Sequence, residues 1–328
     1  MSEKKFWKSV AEAQAEAMRQ DRTVFLAGQD VEMGGLWSTA RGLKEEFGRE
    51  RVFDTPISEA VMAGLAIGAA AGGLRPIVEI SIMDFITLAM DQIVNQMAKM
   101  KYMFGGKPRL PLVLTTHAGA GRNSAAQHSQ SLEAWFCHVP GLIVVMPSDP
   151  YDAKGLMHSA IRSDDPVIYI MNKRLVGLRG EVPDEPYTVP LGKAAVKREG
   201  SDVTVVAMGP LVREALKAAD ALAERGISVE VVDPRTLSPL DLDTIIASVQ
   251  KTGRAVVAHE AVRVCGVGAE IAAEISERAF DSLDAPVRRV GAPFSPTPFS
   301  PALEPLWLPG AAQVTAAIES LLPARVAG

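Results

Sequence analysis

Asp54-Thr55-Pro56-Ile57-Ser58-Glu59, followed by residues 60–74 without a single charge, is the stretch on which the reading of this chain turns. It joins a short strand predicted at 52–54 to a helix whose residues 60–73 are apolar on every side. Asp54 or Thr55 is suited to cap that helix, and Pro56 to its first turn, where a missing N–H costs nothing. A helix apolar all round is predicted to be buried all round, and this run is short of the ~20 residues that cross a bilayer. Glu59 heads the helix. Its carboxylate either complements the helix dipole or is a half-buried acid that shares a proton with a ligand, since desolvation favours its neutral form. Gly64, Gly68 and Gly72 recur every fourth residue and so line one stripe. Such a stripe admits another backbone at close range, within the same chain in the commoner case and across an interface in the other.

Outward from this stretch, Val- and Ile-rich runs at 24–27, 77–80, 112–114, 142–146 and 167–170 read as strands buried on both faces. Helix-length segments separate most of them, the pattern of an α/β doubly wound parallel sheet. Periodicity fades towards Pro183, Pro186 and Pro190, which marks a linker at 186–200. Alternation then restarts, with strands expected at 203–207, 228–232, 255–258 and 287–290. Helices are expected at 211–224, 240–251, 269–279 and 311–321. The chain therefore divides into a domain at 1–185 and a second α/β domain at 201–328.

The 328 residues carry 34 Lys and Arg against 39 Asp and Glu, a net charge of -5 with both signs spread along the chain. That balance argues against nucleic acid as a partner. Cys137 and Cys265 are too few for a disulfide framework, which points to a reducing compartment and a cytoplasmic location. Residues 1–21 are polar and do not read as a signal or transit peptide, and no membrane partner is expected.

Gln127-His128-Ser129-Gln130-Ser131-Leu132-Glu133-Ala134-Trp135 follows a loose stretch containing Gly119 and Gly121. A loop running into a helix start presents side chains to a cleft. His128 titrates near neutrality, so it is a general acid/base or else a surface or capping histidine. Asp84-Phe85 precedes a helix predicted at 86–103, in which Met90, Met97 and Met100 read as core filler. Phe85 falls at the carboxyl end of a strand, where doubly wound sheets bind ligands. No dinucleotide fingerprint, phosphate-cradling loop or nucleophile elbow is present, and the five histidines and two cysteines lack close metal-ligand spacing. A phosphate-bearing cofactor would have its phosphates held elsewhere.

Taken in order, the segments Gly42-Leu43 to Phe47-Gly48, Arg51 to Glu59, Gly73-Leu74-Arg75-Pro76, Asp84-Phe85, Asp91-Gln92, His128-Ser129-Gln130-Ser131 and Pro140-Gly141-Leu142 are familiar. So are Asp233-Pro234-Arg235-Thr236-Leu237, His259-Glu260-Ala261 and Gly268-Ala269-Glu270-Ile271. Over nearly its whole length the chain resembles the beta subunit of the thiamine diphosphate-dependent 2-oxo acid dehydrogenases, the decarboxylating first component of the pyruvate, branched-chain and acetoin types. The resemblance implies a pyrimidine-binding domain followed by a transketolase C-terminal-like domain. It implies that Glu59 hydrogen-bonds the aminopyrimidine and promotes loss of the thiazolium proton, that Phe85 packs on that ring, and that Ile57 and Ser81 lie near it. His128 and Trp135 are implied to line the substrate and acyl-acceptor channel, and the Gly64, Gly68, Gly72 stripe to lie at a subunit interface. Magnesium and the diphosphate are implied to be held by an alpha subunit, since this chain has no Gly-Asp-Gly motif, in an assembly of two alpha and two beta chains. Potassium is implied at carbonyl oxygens near Leu112, Ala160, Ile161, Ser163 and Asp165.

The implied reaction is decarboxylation of a 2-oxo acid with acyl transfer to a lipoyl acyltransferase core. The alternatives are a thiamine-dependent carboligase or acetoin-cleaving subunit, and a scaffold without catalysis. Retention of Glu59, Phe85 and His128 argues against the scaffold. Gln29 stands where the family usually has an acid, Ser81 replaces a larger residue, and Thr115 stands for an arginine. Met171 and Val176 stand for Glu and Tyr, and Cys265 for Gly. The joint loss of Arg at 115 and Glu at 171 is expected to remove an ion pair without leaving a buried unpaired charge.

Overall fold

The computed structural model describes residues 1–322; the end of the expected second domain lies outside the described residues. Strands Val24–Gly28, Val52–Asp54, Arg75–Ile80, Val113–Ala118, Ile143–Val145 and Val167–Asn172 form the parallel part of a seven-stranded sheet. All six residues of Val113–Ala118 and of Val167–Asn172 are buried, as in strands covered on both faces, and this includes the polar Thr115, Thr116, His117 and Asn172. Helices Phe6–Gln20 and Pro150–Arg162 pack together over one face. Lys154, wholly buried between them, binds Glu16 at 2.8 Å and Glu12 at 3.0 Å.

The second sheet has five strands, with Val203–Ala207 at its centre between Val229–Asp233 and Ala255–Val262. Strand Ala195–Arg198, inside the expected linker, is its antiparallel edge. Thr236–Ser238, from the second half of the chain, pairs antiparallel with Ile143–Val145 and so completes the first sheet. These edge strands, together with Ser2–Lys5 paired to Arg179–Val182, are short and lack the apolar pattern of the central ones. One hydrophobic cluster runs from Val78, Ile80 and Ile168 through to Val206, Val232, Val257 and Ile271. The two domains therefore share a core, and their relative position is set by packing.

Three expectations for the deciding stretch are corrected. The helix begins at Glu59 and ends at Ala71, not near Pro56, and its N-cap is Ser58. Asp54 is held in the sheet beside Gly28, and its carboxylate accepts the Glu32 N–H at 2.9 Å, so it has no part in the helix start. The helix is also not buried on every side: Met62, Ala63, Ala66, Ile67 and Ala70 face the core, while Ala60, Val61, Gly68 and Ala71 are exposed. The helix expected at 86–103 is a broken series, with α-helix at Met83–Ile86, a 3₁₀ turn at Thr87–Ala89, a π-helix at Gln92–Met97 and α-helix again at Met100–Met103. Met97 within it is buried core, as expected of a filler residue.

Candidate active site

Because these six first-sheet strands run parallel, their carboxyl ends converge on one edge, and candidate residues lie where the chain leaves five of them. Gln29 leaves from the first strand, residues 55–58 from the second, Ser81 to Phe85 from the third, the 119–131 loop from the fourth, and Lys173 from the sixth. Glu59 is only 5% exposed. Among the described residues its carboxylate accepts from the side chain of Gln29, Nε2 to Oε1 at 3.4 Å. That is a long bond, so the carboxylate keeps most of its acceptor capacity for another group.

Phe85 is half-buried and meets His128 edge to face, with ring centroids 5.2 Å apart and planes at 86°. The His128 carbonyl accepts from the Nζ of Lys173. Asp84, one residue before Phe85, accepts from the Gln130 side chain at 2.9 Å. Ser81 is buried, and its carbonyl accepts from the Trp37 indole at 2.9 Å. Trp37 stacks on His117 at 5.2 Å and lies under the cations of Arg122 and Lys173 at 5.6 and 5.8 Å. Burial holds His117 well below the usual histidine range.

The structure thus brings Phe85 and His128 into contact and gives Glu59 an amide neighbour. Ile57, on the loop before Glu59, is 81% exposed. Trp135 is half-exposed on a groove of about 980 Å³ between the domains, lined also by Met90, Leu237, Gly266 and Val267. Gln127, Gln130 and Ser131 line a separate, mostly apolar cavity of about 500 Å³ closed by Phe294, Pro296 and Trp307.

Glycine stripe and potassium carbonyls meet different surroundings. A Cβ built on Gly68 would touch nothing within 4 Å, and one on Gly64 would meet only Gln92 Oε1 at 3.8 Å. No backbone within the described residues occupies the stripe, so the within-chain packing favoured from the pattern alone is corrected. The Ile161 and Ser163 carbonyls each accept from the Arg75 guanidinium at 3.0 Å. The Ala160 carbonyl accepts from the Ser163 N–H, Leu112 from the Val167 N–H, and Asp165 from the Ser163 hydroxyl. A cationic side chain already serves two of the five oxygens expected to hold potassium, and the donor set fits a second cation poorly.

Thr115 and Met171 are both uncharged, and an acid on the third strand lies beside position 115. Glu79 lies in register with Thr115, is fully buried, and binds Thr39 through Oε2 at 2.7 Å, while among the described residues Oε1 has no hydrogen-bond partner. Desolvation pushes its carboxyl up to about 7. An acid thus faces position 115 on the neighbouring strand with no cation beside it among the described residues, and its raised titration keeps it protonated below about 7. Trp37, Lys173 and Glu304 are site neighbours that sequence reasoning did not single out, and Glu260 entered it only within the segment His259-Glu260-Ala261. For Lys173 a signal existed, a lysine directly after a buried strand at the ligand-binding edge.

The family model for "Transketolase, pyrimidine binding domain" matches residues 2–179, and that for "Transketolase, C-terminal domain" matches residues 192–314. The acetoin:2,6-dichlorophenolindophenol oxidoreductase subunit beta of Bacillus subtilis (strain 168) is 50% identical over 314 residues, covering 92% of each chain. Its counterpart in Cupriavidus necator is 47% identical over 94% of each chain. The pyruvate dehydrogenase E1 component subunit beta of Bacillus subtilis (strain 168) is 48% identical over 92% of this chain and 93% of that one. A solved split-gene transketolase, described as an inactive beta4 tetramer, superposes with a TM-score of 0.78 over 96% of this chain at 24% identity, a likeness of fold. With two domain matches in series and relatives near half-identical along its length, the chain belongs to the thiamine diphosphate-dependent transketolase-like family, among the beta subunits of the pyruvate and acetoin dehydrogenases.

Proposed function

We propose that this chain works with a separate alpha chain, in a two-alpha, two-beta assembly, to decarboxylate a 2-oxo acid and pass the acyl group to a lipoyl domain of an acyltransferase core. The observation that carries the reading is a buried, under-used carboxylate, Glu59, on the same sheet edge as the Phe85–His128 ring pair. This donor set fits a flat ring with a protonatable nitrogen, as the pyrimidine of thiamine diphosphate has. When bound, that cofactor supplies the carbon nucleophile and electron sink for cleavage beside a carbonyl. Glu59 holds and releases a proton at the ring nitrogen. Gln29 donates to Glu59 and, having no acid of its own, does not extend a proton path. Phe85 provides an apolar face, Ser81 and Ile57 border it, and His128 meets the acyl acceptor, with Trp135 further along the entry side.

Magnesium and the diphosphate fall to the alpha chain, and the open Gly64, Gly68, Gly72 face of the Glu59 helix is the surface it meets. Potassium is left out of this reading, because Arg75 already occupies two of the carbonyls expected to hold it. Acetoin cleavage is the second reading, favoured by the two acetoin relatives at 50% and 47% identity. Assembly with the alpha partner followed by a screen of 2-oxo acids and acetoin with an artificial electron acceptor decides between them. Turnover of a 2-oxo acid supports the first reading, turnover of acetoin alone the second, and no turnover of either overturns both.

A further inference from the structure

The loop at 119–131 that carries His128 is held from outside. Gly119, Gly121, Asn123 and Ala125 all have left-handed backbone, with φ of 94°, 91°, 52° and 60°. Two of these are not glycine, so the conformation needs partners to fix it. The loop closes on itself where the Gly119 N–H donates to the Gln130 carbonyl at 3.0 Å. Within the first domain Asp84 holds Gln130 and Lys173 holds the His128 carbonyl.

The remaining ties come from the second domain. Glu260, on strand Ala255–Val262, accepts the Ala120 N–H at 2.8 Å. Glu304, the first residue of the short helix Glu304–Trp307, accepts the Gly121 N–H through one oxygen and the Asn123 N–H through the other, both at 2.9 Å. Both carboxylates are buried, at 2% and 3% exposure. Arg174, in the first domain, reaches Glu260 at 3.3 Å, and its chain lies under Gly121. Carboxylate to N–H bonds are stronger than neutral ones, and burial keeps water from replacing them. The core shared by the two domains fixes where these carboxylates stand.

We propose that the second domain acts as a positioning device for His128, with Glu304 and Glu260 as the positioning residues. They set the shape of the loop whose far end delivers the imidazole beside Phe85. This inference rests on the reading of His128 as the group that meets the acyl acceptor. It assigns the second domain a part in acyl transfer distinct from cofactor binding.

The test uses the assembled enzyme with Glu304→Ala, Glu304→Gln and Glu260→Gln. Hydrogen–deuterium exchange in peptides covering 119–131 should quicken by at least ~10-fold in Glu304→Ala, the expected size for losing bonds to a charged group. Peptides covering 113–118 and 255–262 should keep wild-type protection. Acylation of a lipoyl domain should fall by ~10–100-fold on the same grounds, while turnover with an artificial electron acceptor changes by less than about twofold. Glu304→Gln keeps one acceptor oxygen and should lie between. It and Glu260→Gln carry the test if Glu304→Ala does not fold. Unchanged loop exchange in all three variants overturns the proposal, and so does an equal loss in both activity assays, the mark of a merely structural role. A wild-type enzyme that cannot acylate a lipoyl domain refutes the dehydrogenase reading instead, and loop exchange still decides the positioning role.

Discussion

At Glu59 a carboxylate heads a helix and is also withdrawn from water. A helix-capping role asks only for negative charge near the first turn, and Gln29 donating from 3.4 Å neither supplies nor removes a proton. A proton-sharing role requires the acid itself. Glu59→Gln separates the two, since it keeps the shape and loses the titration. Turnover of the assembled enzyme should fall by at least ~10²-fold, and thiazolium proton exchange, followed by NMR after acid quench, should slow with it while the complex with alpha still forms on size-exclusion chromatography. Exchange at the wild-type rate would return Glu59 to a capping role. Glu79 offers a second test, in stability. Its folded carboxyl titrates near 7 against an ordinary 4.5, so the folded state keeps a proton that the unfolded chain releases. The stability tied to this group is complete below about 4.5 and is lost as pH rises through about 7. His259, lowered to about 4 by burial, works the other way, its share being lost as pH falls from 6.5 towards 4. Glu79→Gln should therefore raise Tm by at least ~2 °C near pH 8 and leave it unchanged near pH 5. An equal shift at both pH values would show that the substitution acts through packing.

At the scale of elements, the central strands and the second-domain helices were legible because their signal is local. Val203–Ala207 lies at its expected bounds, and helix Pro210–Ala223 is displaced by one residue at each end from the expected 211–224. The start of the Glu59 helix was misread because Asp54 and Pro56 carry good capping chemistry, and a tertiary bond from Glu32 to Asp54 overrode it. The 83–103 segment has helical spacing, and only packing shows it as α, 3₁₀ and π pieces. His128 and Phe85 stand in motifs that drew notice, and their rings meet in the structure, whereas Glu304 drew none as a site residue, because an acid in a Pro-rich tail has no pattern until the fold sets it under the loop. One element explains a motif outright. Gly266, Gly268 and Gly291 form a cup around the buried His259 ring, and a Cβ on Gly268 would come within 2.6 Å of the ring and 3.2 Å of Val257. Gly268→Ala gains helix propensity but overpacks this cup, so unfolding in urea should show a net loss of ~1–3 kcal/mol. A stabilised variant would mean that the ring can shift.

For the whole molecule, the face left open by the Glu59 helix makes an assembly prediction that stability measurements alone would miss. Ala60, Val61, Gly68 and Ala71 are exposed along it, with Ile57 and Leu88 also exposed at 81% and 65%. An apolar helix showing this surface is suited to a backbone that approaches where the glycines leave room. Among the described residues nothing comes within 4 Å of a Cβ at Gly68, so a side chain there meets no obstacle. Gly68→Leu should consequently leave the chain's own fold intact, and even add up to ~1 kcal/mol through helix propensity. Against a partner helix the same leucine would hold two backbones apart. The expected outcome is an unchanged or higher Tm for the separate chain, together with loss of the complex with alpha on size-exclusion chromatography. Gly226→Leu, at an open turn glycine with φ of 72° away from the helix, should lose some stability and keep the complex. If Gly68→Leu still assembles at wild-type affinity, the stripe is not where alpha binds. The close contact would then have to be sought among the other exposed apolar residues, beginning with Tyr102, Met103 and Phe104.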